Sequence, residues 1–125
     1  MPYSAKAIQS LRESGAISIE PYDKDAFKKA SYTLHTGIEL ILAPGEWRTV
    51  TTEETVTLDE SVCAMLFTRG SVAQMGIDAL LTDCFIEPGF SGKLVLSMIN
   101  HSKQTHTIPA GARMVKIVFF PNQEL

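Results

Sequence analysis

The chain has 125 residues, 45% hydrophobic and 20% charged, with a formal net charge of −3. That length suits a single domain over residues 1–125, able to bury roughly two thirds of its unfolded surface. The charge argues against a nucleic-acid backbone as main partner, which calls for a basic stripe, and leaves room for a small anion held by a few local donors.

No apolar run approaches the roughly 20 residues of a membrane span, so no membrane partner is expected. The start, Met1-Pro2-Tyr3-Ser4-Ala5-Lys6, lacks the apolar core of a signal peptide, and a cytoplasmic location is expected. Ser4 reads as an N-cap and Gly15 as the residue after a C-cap, bracketing a helix over Ala5 to Ser14 with Ile8 and Leu11 at helical spacing. It is expected to be the only substantial helix. Short apolar or alternating runs follow at Ile17-Ile19, Tyr32-Leu34, Ile38-Leu42, Trp47-Thr51, Thr55-Leu58, Ser61-Thr68, Ile77-Leu81, Cys84-Ile86, Lys93-Asn100, His106-Ile108 and Arg113-Phe120. Turn formers such as Ala43-Pro44-Gly45-Glu46 and Pro109-Ala110-Gly111 separate them. Many short strands with almost no helix predict a mainly β protein, an antiparallel sandwich or jelly roll.

Two local patterns stand out. Glu87-Pro88-Gly89-Phe90-Ser91-Gly92 is a sharp turn, and the strand after it alternates so that Lys93, Val95 and Ser97 share one face and Leu94, Leu96 and Met98 the other. The runs Ala64 to Phe67 and Met114 to Phe120 are apolar on both faces. Such strands either meet another subunit or lie at the centre of a core, and composition does not choose between the two. The only cysteines, Cys63 and Cys84, lack CxxC spacing and read as buried, reduced thiols.

Several segments together carry a family resemblance. Ser14 to Tyr22 followed by Ala30-Ser31-Tyr32-Thr33-Leu34-His35-Thr36-Gly37 resembles the start of dCTP deaminases, whose second segment usually reads Ser-Tyr-Asp-Leu-Arg-x-Gly. Thr68-Arg69-Gly70-Ser71-Val72-Ala73-Gln74-Met75-Gly76 resembles their Gly-Arg-Ser-Ser-x-Ala-Arg-x-Gly signature. Ile86 to Gly92 through Asn100 is similar to Ile-Asp-Pro-Gly-Trp-x-Gly followed by a Leu-Glu-x-x-Asn strand. Pro109 to Met114 fits the closing turn shared by dCTP deaminases and dUTPases. The resemblance implies a distorted jelly-roll (β-clip, dUTPase-like) fold, a homotrimer, and nucleotide sites at subunit boundaries. Arg69, Gly70, Ser71 and Gln74 then take the phosphate-binding positions, and Asp83, Glu87, Phe90 and Ser97 those of the base and sugar pocket. Magnesium is implied only as the nucleotide complex. His35 takes an arginine-like place, His101 and His106 flank a turn, and no protein-bound metal is expected.

The departures bear on chemistry. Ser97 stands where the family keeps the glutamate that shuttles a proton between water and cytosine. A hydroxyl without a partner cannot act as that base, and such assistance contributes about 10²–10⁴-fold. Outside the resemblance, Ser97 is simply a strand serine facing solvent. Gln74 replaces an arginine, keeping hydrogen bonds and losing charge, and Gly70 replaces the first of two phosphate-binding serines. Thr33 replaces an aspartate of structural type. Glu87 keeps the carboxylate that faces the deoxyribose, one methylene longer, and Phe90 fills the aromatic place near the sugar; alone, it reads equally as a core aromatic on a turn. Asp83 is either a carboxylate near the pyrimidine ring, able to act in place of the glutamate, or a turn aspartate capping a backbone amide. The sequence ends at Phe120-Pro121-Asn122-Gln123-Glu124-Leu125, where the resemblance leads one to expect a tail that closes over the triphosphate.

The reading is a dCTP deaminase-like protein of deoxyribonucleotide metabolism, without standard deaminase activity, acting as a trimeric nucleotide-binding or regulatory protein. Its alternatives are an active enzyme on dUTP through Glu87 or on dCTP through Asp83, and a partner-binding protein with no nucleotide affinity.

Overall fold

A computed structural model describes residues 1–80 and 84–123. The first helix, α1 (Ala5–Ser14), begins where the Ser4 hydroxyl accepts the Ala7 N–H and ends where the Gly15 N–H turns back to the Arg12 carbonyl. Both ends thereby satisfy groups that a helix leaves open. Ile8 is its fully buried residue. Arg12 lays its guanidinium 3.5 Å from the centre of the Tyr22 ring.

The strands are β1 (Ile17–Glu20), β2 (Tyr32–His35), β3 (Leu40–Leu42), β4 (Trp47–Leu58), β5 (Val62–Thr68), β6 (Ile77–Asp78), β7 (Phe85–Ile86), β8 (Ser91–Asn100), β9 (His106–Ile108) and β10 (Arg113–Pro121). They form a sheet of order β1-β4-β8-β6, a second of order β2-β10-β5-β7, and the ribbon β3-β9, all antiparallel. Period-two alternation decides which side chains go inside: Leu94, Leu96 and Met98 are buried on β8, while Val62, Ala64 and Leu66 are buried on β5 and Val115, Ile117 and Phe119 on β10. These residues and Ile8 belong to one apolar core. Each fully buried large side chain there contributes about 1.5–3 kcal/mol over an exposed one.

Several boundaries differ from the sequence reading. Trp47-Thr51 and Thr55-Leu58 are one strand, β4, kept continuous through a bulge. Ile38 and Glu39 stay outside β3, and the Cys84 run starts as a strand only at Phe85. Residues 70–73 form a second, four-residue helix, α2 (Gly70–Ala73), inside the Arg-Gly-Ser motif. The cysteines are free and half-buried rather than buried. The end of the run Ile77-Leu81 lies outside the described residues, as does Asp83. Among the described residues no helix is long and apolar enough to cross a membrane.

The runs that looked apolar on both faces have one face in the core. Their other face leaves Phe67 exposed and Met65, Val118 and Phe120 half-buried.

Candidate functional site

The Arg69 motif is built at the exit of β5. The Arg69 N–H donates to the Met114 carbonyl at 3.0 Å, carrying the β5–β10 pairing one residue past the strand. The Arg69 carbonyl then accepts from Val72 and Ala73, starting α2. Arg69 is half-buried and Ser71 exposed, and both line a cavity of about 280 Å³ whose walls include Val72, Ile77, Ile108 and Met114. Gly70 and Gln74 are exposed and do not line it. The helix leaves through Gly76, at φ +85°, whose carbonyl accepts the His101 N–H at 2.8 Å.

Arg113, the first residue of β10, lines the same cavity. It is placed by the turn before it: the Ala112 N–H returns to the Pro109 carbonyl, and Thr36 at the end of β2 exchanges backbone hydrogen bonds with Gly111 and Ala112. From sequence, Pro109 to Met114 reads as a closing turn and strand, with no site role for Arg113. Its signal was a lone cation next to a glycine turn, and only the fold brings that cation to the Arg69 motif.

The Pro-Gly turn lies elsewhere. Gly89 sits at φ +83°, which favours glycine, and the Phe90 N–H closes the turn onto the Glu87 carbonyl at 3.3 Å. The Gly89 N–H donates to the Asp59 carbonyl and the Leu58 N–H to the Phe90 carbonyl, fixing the turn against the end of β4. Hydrogen bonds from the Ser61 hydroxyl and the Ser61 N–H hold the Asp59 carboxyl below its ordinary value. Exposed Glu87 and half-buried Phe90 share a cavity of about 330 Å³ with Lys93. Ser97 lines neither cavity; it is half-buried on the outer face of β8, opposite Thr49 of β4. Within the chain, then, the fold joins Arg69 to Ser71 and Glu87 to Phe90, and keeps the two pairs in separate cavities.

A third group escaped the sequence reading. His35, Glu53 and Glu54 each bring a possible ligand atom within 4.8 Å of the others, and among the described residues no other such trio of His, Cys, Asp or Glu occurs. Both oxygens of Glu54 are already engaged by His35, the backbone N–H at 2.9 Å and the ring Nδ1. The geometry is that of a structural pair.

The family model of dCTP deaminase-like proteins matches residues 35–122. The chain belongs to the dCTP deaminase-like family. A dUMP-forming dCTP deaminase of Methanosphaerula palustris is 30% identical over 105 residues, covering 84% of this chain and 56% of that protein. A dCTP deaminase of Pyrococcus horikoshii is 30% identical over 118 residues, covering 82% of this chain and 74% of that one. This dCTP deaminase-like chain thus spans little more than half of the first relative's length. Among solved structures, the 2′-deoxycytidine 5′-triphosphate deaminase of Agrobacterium tumefaciens superposes with a TM-score of 0.79 at 18% identity, over 94% of this chain and 47% of that one. A dUTPase from phage phi11 of S. aureus superposes with a TM-score of 0.69 at 15% identity, over 87% and 92% of the two chains. At such identities the likeness establishes the fold: this dCTP deaminase-like chain has the mainly β, dUTPase-like architecture expected from its motifs.

Proposed function

We propose that the chain works in deoxyribonucleotide metabolism as a trimeric nucleotide-binding or regulatory protein that has lost standard dCTP deamination. The observation that carries this reading is Ser97. At the position where the family resemblance calls for a proton-shuttling glutamate, the chain offers a hydroxyl on an outer strand face, with Thr49 opposite and Val95 and Lys93 beside it. None of these supplies a carboxylate to take the proton. Gln74, neutral and exposed, points the same way.

Assembly is part of the proposal. The face carrying Met65, Phe67, Val118 and Phe120 is the sort of apolar surface that a second subunit covers, and a site split between protomers accounts for cavities that stay apart in one chain. Magnesium would enter as the nucleotide's counter-ion. The test is incubation with dCTP and magnesium, followed for uracil nucleotide, alongside thermal melts with a panel of deoxynucleotides. A ligand at about 100 times its dissociation constant stabilises by about 2.7 kcal/mol. Stabilisation without turnover is expected; deamination at ordinary enzyme rates overturns the reading, and an absence of any shift favours a partner-binding protein.

A second reading is favoured by one observation: Glu87 stands exposed in a cavity with Phe90 and the cation Lys93, as a base for hydrolysis of a deoxynucleoside triphosphate would. Pyrophosphate release from dUTP that disappears in Glu87→Gln is its signature. The third, deamination through Asp83, rests on a residue outside those described.

A further inference from the structure

The Glu54 carboxylate stands where a negative charge is hard to keep. Glu54 is 1% exposed, and both oxygens turn to His35, one to the backbone N–H and the other to the ring Nδ1. Its carboxylate has no partner beyond His35, and among the described residues no lysine or arginine pairs with it. Buried charges are paired or coordinate a metal ion, and an imidazole that carries no charge meets the hydrogen bond while leaving the carboxylate uncompensated. A second carboxylate lies beside the pair. Glu53 is exposed, its side chain has no hydrogen bond or ion pair among the described residues, and the possible ligand atoms of His35, Glu53 and Glu54 lie within 4.8 Å of one another. Backbone contacts fix the frame: the Gly37 N–H donates to the Thr51 carbonyl at 3.1 Å, and Thr36 bridges to Thr52, so the end of β2 is tied to the bulge of β4.

We propose that His35, Glu53 and Glu54 bind one divalent transition-metal ion of the zinc class, which clips the end of β2 to the bulge of β4. One imidazole and two carboxylates are a donor set that suits such an ion, and its two positive charges cancel those of the carboxylates. Zinc bonds of about 2.0–2.2 Å set tetrahedral ligand atoms roughly 3.4 Å apart, a contraction that the exposed, unpaired Glu53 side chain supplies by turning inward. The ion takes the place of the hydrogen between Nδ1 and the Glu54 oxygen, and that hydrogen leaves to solvent as a proton. The His35 backbone N–H stays on the other oxygen of Glu54 and orients the carboxylate, as outer hydrogen bonds do at metal sites. The pair that holds this corner in the metal-free chain thus becomes part of the site. This inference is independent of the nucleotide-binding reading.

The experiment is calorimetric titration of the full chain, stripped of metal with EDTA and free of any affinity tag, with zinc chloride. One ion per chain is expected, and an excess of magnesium should leave the titration unchanged. Glu53→Gln is expected to weaken zinc binding at least about ten-fold. Because Glu53 is exposed and unpaired, that variant keeps the fold, which a metal-free melting curve matching the wild type confirms. His35→Gln should abolish binding, and His101→Gln, an exposed histidine outside the cluster, should change nothing. Zinc should also raise the melting temperature of the wild type and leave that of Glu53→Gln nearly where it was. In NMR spectra the ring signals of His35 should move with zinc, and those of His101 and His106 should stay. A wild type that binds no zinc, a Glu53→Gln protein that binds it as tightly as the wild type, or zinc shifts at His101 or His106 without one at His35 each overturn the proposal. Displacement of zinc by magnesium overturns the class of ion.

Discussion

Glu54 grips His35 with both carboxylate oxygens, one on the backbone N–H at 2.9 Å and the other on the ring Nδ1. The contact depends on the bulge in β4. Thr51 stands opposite Val95 and Thr55 opposite Lys93, so Thr52, Glu53 and Glu54 share the space against Leu94. Thr52 fills the gap in the ladder, its hydroxyl accepting the Leu94 N–H and donating to the Glu54 carbonyl. Glu54 is thereby turned inward to 1% exposure, where a carboxylate persists only when hydrogen-bonded or paired.

Removing that carboxylate leaves His35 with two unmet donors. Glu54→Ala is expected to cost about 3 kcal/mol, in the range for breaking a buried pair from one side. Glu54→Gln keeps one oxygen for the backbone N–H and should cost about 1–2 kcal/mol. Urea unfolding measures both; a loss below about 1 kcal/mol for the alanine variant would show that the contact adds little net stability.

Gly76 is confined twice over. Its φ is +85°, and an added Cβ would meet the Ser102 Cβ at 2.9 Å and the Ser102 backbone nitrogen at 3.2 Å. Gly76→Ala therefore combines a left-handed backbone with overpacking and is expected to lose about 2–4 kcal/mol. Gly70 in α2 has no atom within 4 Å of an added Cβ, so Gly70→Ala should be neutral or slightly stabilising. The two variants share a chemistry and differ in surroundings; equal melting temperatures would contradict the argument.

Local rules made much of the fold legible. Ser4 and Gly15 mark α1 to the residue, and the alternation from Lys93 to Asn100 assigns Leu94, Leu96 and Met98 to the core. The polar run Thr52-Glu53-Glu54 reads as a break between strands because nothing in the order of residues shows that Thr52 and Glu54 will be buried and hydrogen-bonded. A helix as short as α2 has no periodicity to read. For the site, motif spacing named Arg69, Ser71, Glu87 and Phe90, while Arg113 required the β5–β10 pairing, a contact between residues far apart in sequence.

Tyr32 gives the chain a sensitivity to base. It is fully buried, its hydroxyl accepts the Asp23 N–H at 2.9 Å, and Phe27 packs edge-on 5.0 Å away. Burial, above all, raises the pKa of its phenol, partly opposed by the Asp23 hydrogen bond and reinforced by the charge of Glu54. The folded chain holds this proton more tightly than the unfolded chain does. The resulting stability is complete below about pH 10, the unfolded value, and is lost as pH rises through the raised folded value. At neutral pH Tyr32→Phe should be less stable by about 1 kcal/mol, through the unmet Asp23 donor. Urea midpoints taken from about pH 8 to about pH 11 should show that gap shrinking as base is added. A gap that stays constant would mean that Tyr32 does not titrate with unfolding.

The last prediction addresses the proposed loss of dCTP deamination. Ser97 is half-buried on the outer face of β8, away from the packed core, and Val95 on the same face is 60% exposed. A longer side chain can therefore extend outward without opening the core, and Ser97→Glu is expected to fold with a stability change of about 1 kcal/mol or less. If the nucleotide pocket persists at the assembled boundary, the new carboxylate restores the proton shuttle, and dCTP deamination should rise about 10²–10⁴-fold above the wild-type background. Adding Gln74→Arg should raise it further, because the arginine returns a charge beside the phosphates. Chromatographic separation of dUTP or dUMP from dCTP reads the outcome. A folded Ser97→Glu protein that binds dCTP and leaves it unchanged would place the loss of chemistry beyond position 97.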